Sequence, residues 1–275
     1  MKKIFASVAM WVVATSGPLI AASTGTGYAP LNGMKIYYEV HGVSDGQTPP
    51  LVLLHGGGST IETSFGKVMN ELSKNRQVIA FEQQGHGHTN DVDRPFTFES
   101  SAEDTIALLK YLKVPKADFF GYSNGGSIAL LVGIRYPAFV RKLVVASAMT
   151  KRDGLNPSFW DGMRNASLEN MPAELKEAYL KCAPRATKNL QSFHDKCVKR
   201  MLDFKDWPDS DVKSIQAPTM ILIADQDVIR PEHAVELFRL LPHGSLAILP
   251  NTHHMTLVNR WPVEMIERFL NDGTN

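Results

Sequence analysis

The chain has 275 residues, 44% of them hydrophobic and 21% charged, with a formal net charge of +1. That is enough chain for one large domain or two small ones, and the near-zero charge excludes a partner recognised by bulk electrostatics, such as nucleic acid or an anionic surface. No internal repeat, low-complexity tract or long like-charge block interrupts this globular composition.

Residues 1–23 stand apart. Lys2 and Lys3 precede an apolar run from Ile4 to Ala14, then a Ser/Gly/Pro break and the small residues Ala21-Ala22-Ser23. This is the layout of a secretory signal peptide cleaved near Ala21 to Ser23, and the apolar run is too short to serve as a comfortable membrane span. The expectation is an exported, periplasmic protein with no stable membrane association after cleavage. Export makes Cys182 and Cys197 a possible disulfide pair. A single short-range pair gives no framework pattern, so two separate buried thiols are expected. With so few histidines near them, they give no reason to expect zinc.

The stretch YAPLNGMKIYYEVHG predicts two strands turning at Asn32-Gly33. LVLLHGGG, VIAFEQQGHGHT and KADFFGYSNGG follow as apolar runs ended by loop residues, and RKLVVASA, PTMILIADQD and GSLAILPNTHH continue the series. Runs without alternation suit strands buried on both faces. Helical patterns lie between them: SAEDTIALLKYLK, SIALLVGIRYP, PEHAVELFRLL opened by Pro231, and PVEMIERFL. Strand and helix alternate, which predicts an α/β fold with a mostly parallel sheet and helices on both faces. From about residue 150 to 214 the alternation stops. That segment is amphipathic and helical, too long for a loop, and is read as a helical cap inserted into a core domain of residues 24–149 and 215–275.

Gly121-Tyr122-Ser123-Asn124-Gly125 places G-x-S-x-G after a buried strand and before a helix. In that context the serine stands on a sharp turn at the end of the sheet, as a nucleophile. It needs a base and an orienting carboxylate, in the order Ser, acid, His. ADQD offers Asp225 or Asp227, and NTHH offers His253 or His254. Ser123, Asp227 and His254 keep the order. The N–H of Asn124 and that of Gly57 in HGGGST would form an oxyanion hole. A phosphate loop does not fit HGGGST, because the third fingerprint glycine and any G-K-[ST] are missing. No cofactor and no metal is expected.

Together these motifs resemble the α/β-hydrolase superfamily over nearly all of the chain beyond the leader, and most closely its capped serine hydrolases. The resemblance implies an eight-stranded sheet with the cap between the sixth and seventh strands. It selects Asp227 over Asp225 and His254 over His253. It also shows a departure: a loop that usually reads Asp-x-Arg-Gly-x-Gly is here Glu82-Gln83-Gln84-Gly85-His86-Gly87. His86 and His88 are expected to be loop structure, and His55 to hold the oxyanion loop. A serine nucleophile disfavours epoxide hydrolases and haloalkane dehalogenases of this fold, which use aspartate.

What the resemblance implies is a serine esterase or lactonase working through an acyl-enzyme on a small molecule. Carbon–carbon bond hydrolases, perhydrolases and aminopeptidases share the triad, and a non-catalytic binding member is the contrasting class. Exported esterases of this build include some that open macrolide-type lactones. The apolar cap residues Phe159, Trp160, Met163, Met171, Tyr179, Phe193, Met201, Phe204 and Trp207 are expected mostly to pack. A minority of them would line an apolar pocket, which favours a medium or bulky apolar ester.

Overall fold

The computed structural model describes residues 24–182 and 186–273. The leader expected over residues 1–23 lies outside the described residues. β1 (Gly25–Leu31) and β2 (Met34–His41) form the hairpin, turning at Asn32 (φ 50°) and Gly33 (φ 78°). Two consecutive left-handed residues are what a two-residue type I′ turn requires. Next come β3 (Leu51–Leu54), the short helices α1 (Ile61–Phe65) and α2 (Met69–Leu72), and β4 (Val78–Phe81). α3 (Phe98–Tyr111), β5 (Ala117–Tyr122), α4 (Asn124–Arg135) and β6 (Val140–Ala146) follow. Four helices then intervene: α5 (Pro157–Arg164), α6 (Ala173–Cys182), α7 (Ala186–Leu202) and α8 (Asp209–Lys213). β7 (Thr219–Gln226), α9 (Pro231–Leu240), β8 (Gly244–His253) and α10 (Val263–Asn271) complete the described fold.

The eight strands form one sheet in the order β1-β2-β4-β3-β5-β6-β7-β8. β2 runs antiparallel to both of its neighbours, and every other neighbouring pair is parallel. The uninterrupted apolar runs follow from burial on both faces. Val52, Leu54, Phe119 and Val145 point to one core, which they share with α3, α4 and α9. Their neighbours Leu51, Leu53, Phe120 and Val144 point to the other, packed by α1 and α10. Each fully buried side chain of this kind contributes about 1.5–3 kcal/mol relative to exposure.

No sequence pattern marks α1 or α2, which are too short for helical periodicity to show. α1 forms because Thr60 and Thr63 make a reciprocal capping box and because Ile61 and Phe65 bury against the sheet. The helices between β6 and β7 divide in two. α8 packs on α4 and α9 of the main layer, whereas α5 and α6 pack on α7. α7 is fastened to the body of the fold by Arg200, which donates to Gln83 Oε1 at 3.0 Å and Ser101 Oγ at 3.2 Å. Cys182 and Cys197 are unlinked, as expected, but half-buried rather than buried. Among the described residues, no helix is long and apolar enough to cross a membrane.

Candidate active site

At the end of β5 the chain reverses through Ser123, whose backbone stands at φ 54° and ψ −120°. A serine adopts this region only where the surroundings enforce it. Two glycines make the turn possible. A Cβ on Gly125 would lie 1.9 Å from the Leu54 carbonyl oxygen, and one on Gly121 would lie 2.1 Å from that of Gly125. The strand and helix backbones therefore meet at distances no side chain permits. The Ser123 N–H donates to Ala146 O at 2.8 Å, and α4 begins at Asn124.

His254 Nε2 lies 3.1 Å from Ser123 Oγ, and its Nδ1 lies 2.6 Å from Asp227 Oδ1. Asp227 is held on all sides. Oδ1 also accepts from Ile229 N at 3.1 Å, while Oδ2 accepts from Ser147 Oγ and from Ala224 N at 3.3 Å. Burial pushes its pKa up, but the hydrogen bond and charge of His254, with those of Ser147 and Ile229, outweigh it and hold the carboxyl below its ordinary value. Tyr122 fixes the other end of the histidine loop by donating its hydroxyl to His254 O at 2.8 Å. Burial and then the Asp227 charge push the Tyr122 phenol up, so it stays a donor.

Asp225 does not reach the histidine ring. It accepts from Asn251 N at 2.9 Å and Thr252 N at 3.0 Å, so it braces the segment that delivers His254. His253 is exposed, and its backbone N–H donates to Thr256 Oγ1 at 3.0 Å. Sequence reasoning did not anticipate Ser147 or Tyr122. The only trace of Ser147 is a polar residue just past a buried strand.

The HGGG loop has three consecutive glycine amides in unlike situations. Gly56 N donates to Ser64 Oγ at 3.4 Å and Gly58 N to His86 Nε2 at 3.2 Å. Gly57 N has no partner among the described residues and lines the same cavity as Ser123 and Asn124. Asn124 is the first residue of α4, so its N–H has no intrahelical acceptor. The Asn124 carboxamide lies against Gly57, where a Cβ would come within 2.3 Å of its Nδ2. His55 and His86 hold the loop as neutral rings. His55 Nδ1 faces Gly56 O at 2.8 Å and its Nε2 accepts from Gln83 N at 3.0 Å. Burial pushes the His55 pKa down to about 4, with the Arg200 charge adding to the shift, and burial drives His86 well down too.

Gln84, standing where arginine is usual, is buried and donates through Nε2 to Asp91 Oδ1 at 2.8 Å, Val92 O at 3.2 Å and Arg94 O at 3.1 Å. A buried carboxamide thus braces the loop in place of a guanidinium. His88 has neighbours that its sequence spacing hides: one ligand atom each from Glu82, His88 and Cys182 lies within 4.8 Å of the others. Glu82 Oε2 already accepts from His88 N and from its ring Nδ1 at 3.0 Å, a brace within the loop.

Above the serine lies a cavity of about 460 Å³. Phe159, Met163, Met171 and Met201 line it, together with Leu175, Val198, Val228, Ile229 and Met255. The other cap aromatics pack elsewhere. Tyr179 and Phe193 stack 4.3 Å apart, Trp160 lies beneath the Arg152 guanidinium at 3.9 Å, and Phe204 meets Trp207 at 5.8 Å.

Residues 49–194 match the family model for the alpha/beta hydrolase fold. The chain belongs to the α/β-hydrolase family. Among curated relatives, the serine hydrolase BPHL of Homo sapiens is 27% identical over 263 residues, covering 88% of this chain and 85% of that one. The 2-hydroxy-6-oxo-2,4-heptadienoate hydrolase of Pseudomonas putida is 28% identical, covering 84% of this chain and 92% of its own. The solved enol-lactonase of Burkholderia xenovorans LB400 superposes with a TM-score of 0.71 at 20% identity, covering 89% of this chain and all of that one. The enol-lactonase shares its fold with the present chain, and the relatives carry different hydrolase names, so membership establishes a hydrolase fold and leaves the scissile bond to be argued from the site.

Proposed function

We propose that this hydrolase cleaves a carboxylic ester or lactone through an acyl-enzyme on Ser123. The observation that carries the reading is the continuous line Ser123 Oγ–His254 Nε2 at 3.1 Å and His254 Nδ1–Asp227 Oδ1 at 2.6 Å. His254 takes the hydroxyl proton as Ser123 attacks the carbonyl carbon. Asp227 fixes the tautomer and stabilises the imidazolium that results. The N–H groups of Gly57 and Asn124 receive the developing oxyanion. His254 returns the proton to the departing alcohol and then activates the water that releases the acid. The apolar cavity favours a medium or bulky apolar acyl or alcohol group, and macrolide-type lactones belong in the substrate screen.

A carbon–carbon bond hydrolase is the second reading, favoured by the Pseudomonas putida relative, whose name specifies a dienoate. A dienoate brings a carboxylate, and among the described residues no lysine or arginine lines the cavity. That absence supports the ester. The leader of residues 1–23 supports action outside the cytoplasm, which the N-terminus of the protein secreted from expressing cells would test.

The decisive experiment is labelling by a fluorophosphonate, together with a hydrolysis screen over esters of graded size, macrocyclic lactones and vinylogous diketones, read by mass spectrometry. Ser123→Ala should abolish labelling and cut turnover by roughly 10⁶-fold. Near-normal ester turnover in that variant, or diketone cleavage with none of esters, would overturn the proposal.

A further inference from the structure

The cavity wall formed by α7 presents His194, Cys197, Val198 and Met201. Their spacing of three, four and seven residues is one helical face, the face an amphipathic helix normally fills with apolar side chains. His194 breaks the pattern. Its side chain is only 8% exposed, and its Nδ1 lies 3.0 Å from the carboxylate of Asp195, itself 60% exposed on the outer side. A carboxylate accepts, so Nδ1 carries the proton, and in the neutral ring Nε2 is the acceptor. Nε2 has no partner among the described residues.

The other polar side chains of the lining are engaged elsewhere. Ser127 Oγ donates to Met149 O at 2.9 Å and accepts from Met149 N at 3.1 Å. Ser147 is committed to Asp227. Asn170 accepts from Ser167 N at 2.9 Å and donates to Asn165 O at 3.0 Å. The Asn124 carboxamide belongs to α4 rather than to the inserted helices and lies against Gly57. One hydrogen-bond acceptor, pinned from outside by Asp195, thus faces an otherwise apolar wall of the inserted helices.

Resting on the proposed ester hydrolysis, we infer that His194 Nε2 is a specificity-determining acceptor for a hydroxyl group on the substrate. The substrate class is therefore a hydroxylated ester or lactone: apolar along most of its length, with a free hydroxyl on the part that reaches α7. A buried acceptor left without a donor is costly, so an analogue lacking the hydroxyl is disfavoured while the matching one satisfies the ring. The role is recognition. His194 moves no proton in the reaction.

The test uses two matched series of graded chain length, one hydroxylated on the acyl chain and one on the alcohol part, each beside its deoxy counterpart. In the wild-type protein, kcat/KM should favour the hydroxylated ester at one chain length by roughly two- to tenfold, the range of a single net hydrogen bond. His194→Leu should bring that ratio to about one, mainly through KM. His194→Gln, which keeps an acceptor, should restore part of it, a rescue that a purely structural role would not give. A ratio unmoved by His194→Leu at every length, or no preference in the wild type, overturns the inference. The phosphonate label separates the two claims. A wild-type protein that takes no label overturns the hydrolysis itself, whereas a labelled protein with an unmoved ratio overturns only the role of His194.

Discussion

Asp227→Asn tests the catalytic line most sharply, because the carboxylate faces four donors. Oδ1 accepts from His254 Nδ1 and Ile229 N, and Oδ2 from Ser147 Oγ and Ala224 N. Asparagine has one acceptor oxygen and one donating NH₂, so one pair must face a donor. If the NH₂ replaces Oδ1, it meets the Ile229 N–H and forces the histidine proton onto Nε2, where it points at Ser123. If it replaces Oδ2, it meets the Ala224 N–H, while Ser147 can turn its hydroxyl to accept. The second arrangement keeps the tautomer but still withdraws the negative charge that stabilises the imidazolium. Either way turnover should fall by on the order of 10³–10⁴-fold. One backbone donor left unsatisfied should cost about 1–3 kcal/mol of stability. Because the folded carboxyl sits below its ordinary value, its stabilising share is present at neutral pH and lost as pH drops below about 4. The wild-type advantage over Asp227→Asn in urea unfolding should therefore hold at pH 7 and shrink in acid. Steady-state kcat on a nitrophenyl ester within tenfold of wild type would refute the orienting role of Asp227.

Three further outcomes follow from the same geometry. Asp225→Ala should lower kcat far less than Asp227→Asn while leaving Tm nearly unchanged, since it frees only the Asn251 and Thr252 amides; equal losses in the two variants would show that Asp225 shares the orienting work. Gly125→Ala places a Cβ 1.9 Å from the Leu54 carbonyl, so soluble yield or Tm should collapse, and an unchanged melting curve would mean that the elbow can yield. His55, held neutral with its pKa down to about 4, should make stability fall as pH drops from about 6.5 toward 4, because the unfolded chain binds a proton the fold refuses. The loss is on the order of 3 kcal/mol. Its size in urea midpoints should diminish in His55→Gln, and equal slopes would place the proton elsewhere.

Most of the fold was legible because the strongest constraints are local. Asn32-Gly33 allows one hairpin turn, and G-x-S-x-G between a buried strand and a helix allows one sharp reversal. The strand ends narrowed the acid to Asp225 or Asp227 and the base to His253 or His254, and the family resemblance chose Asp227 and His254. What stayed hidden depends on distant parts of the chain. α1 is held by packing on the sheet rather than by its own periodicity. Ser147 matters only once β6 and β7 lie side by side. His88, Glu82 and Cys182 share a corner because α6 folds back over the β4 loop.

The site therefore divides by origin. The three side chains that would move the proton are held at the strand ends. Ser123 is tied to Ala146, Asp227 to Ala224 and Ile229, and His254 to Tyr122 at the end of β5. Such contacts tolerate little displacement, since a shift of about 1 Å can cost 10²-fold in rate. Most of the cavity wall comes instead from the segment between β6 and β7, its helices and their connections, which reaches the body of the fold through contacts such as Arg200 with Gln83 and Ser101. Substitutions there can reshape the wall without disturbing the elbow. A change of substrate should therefore be sought in α5–α7, and a loss of chemistry at the strand ends.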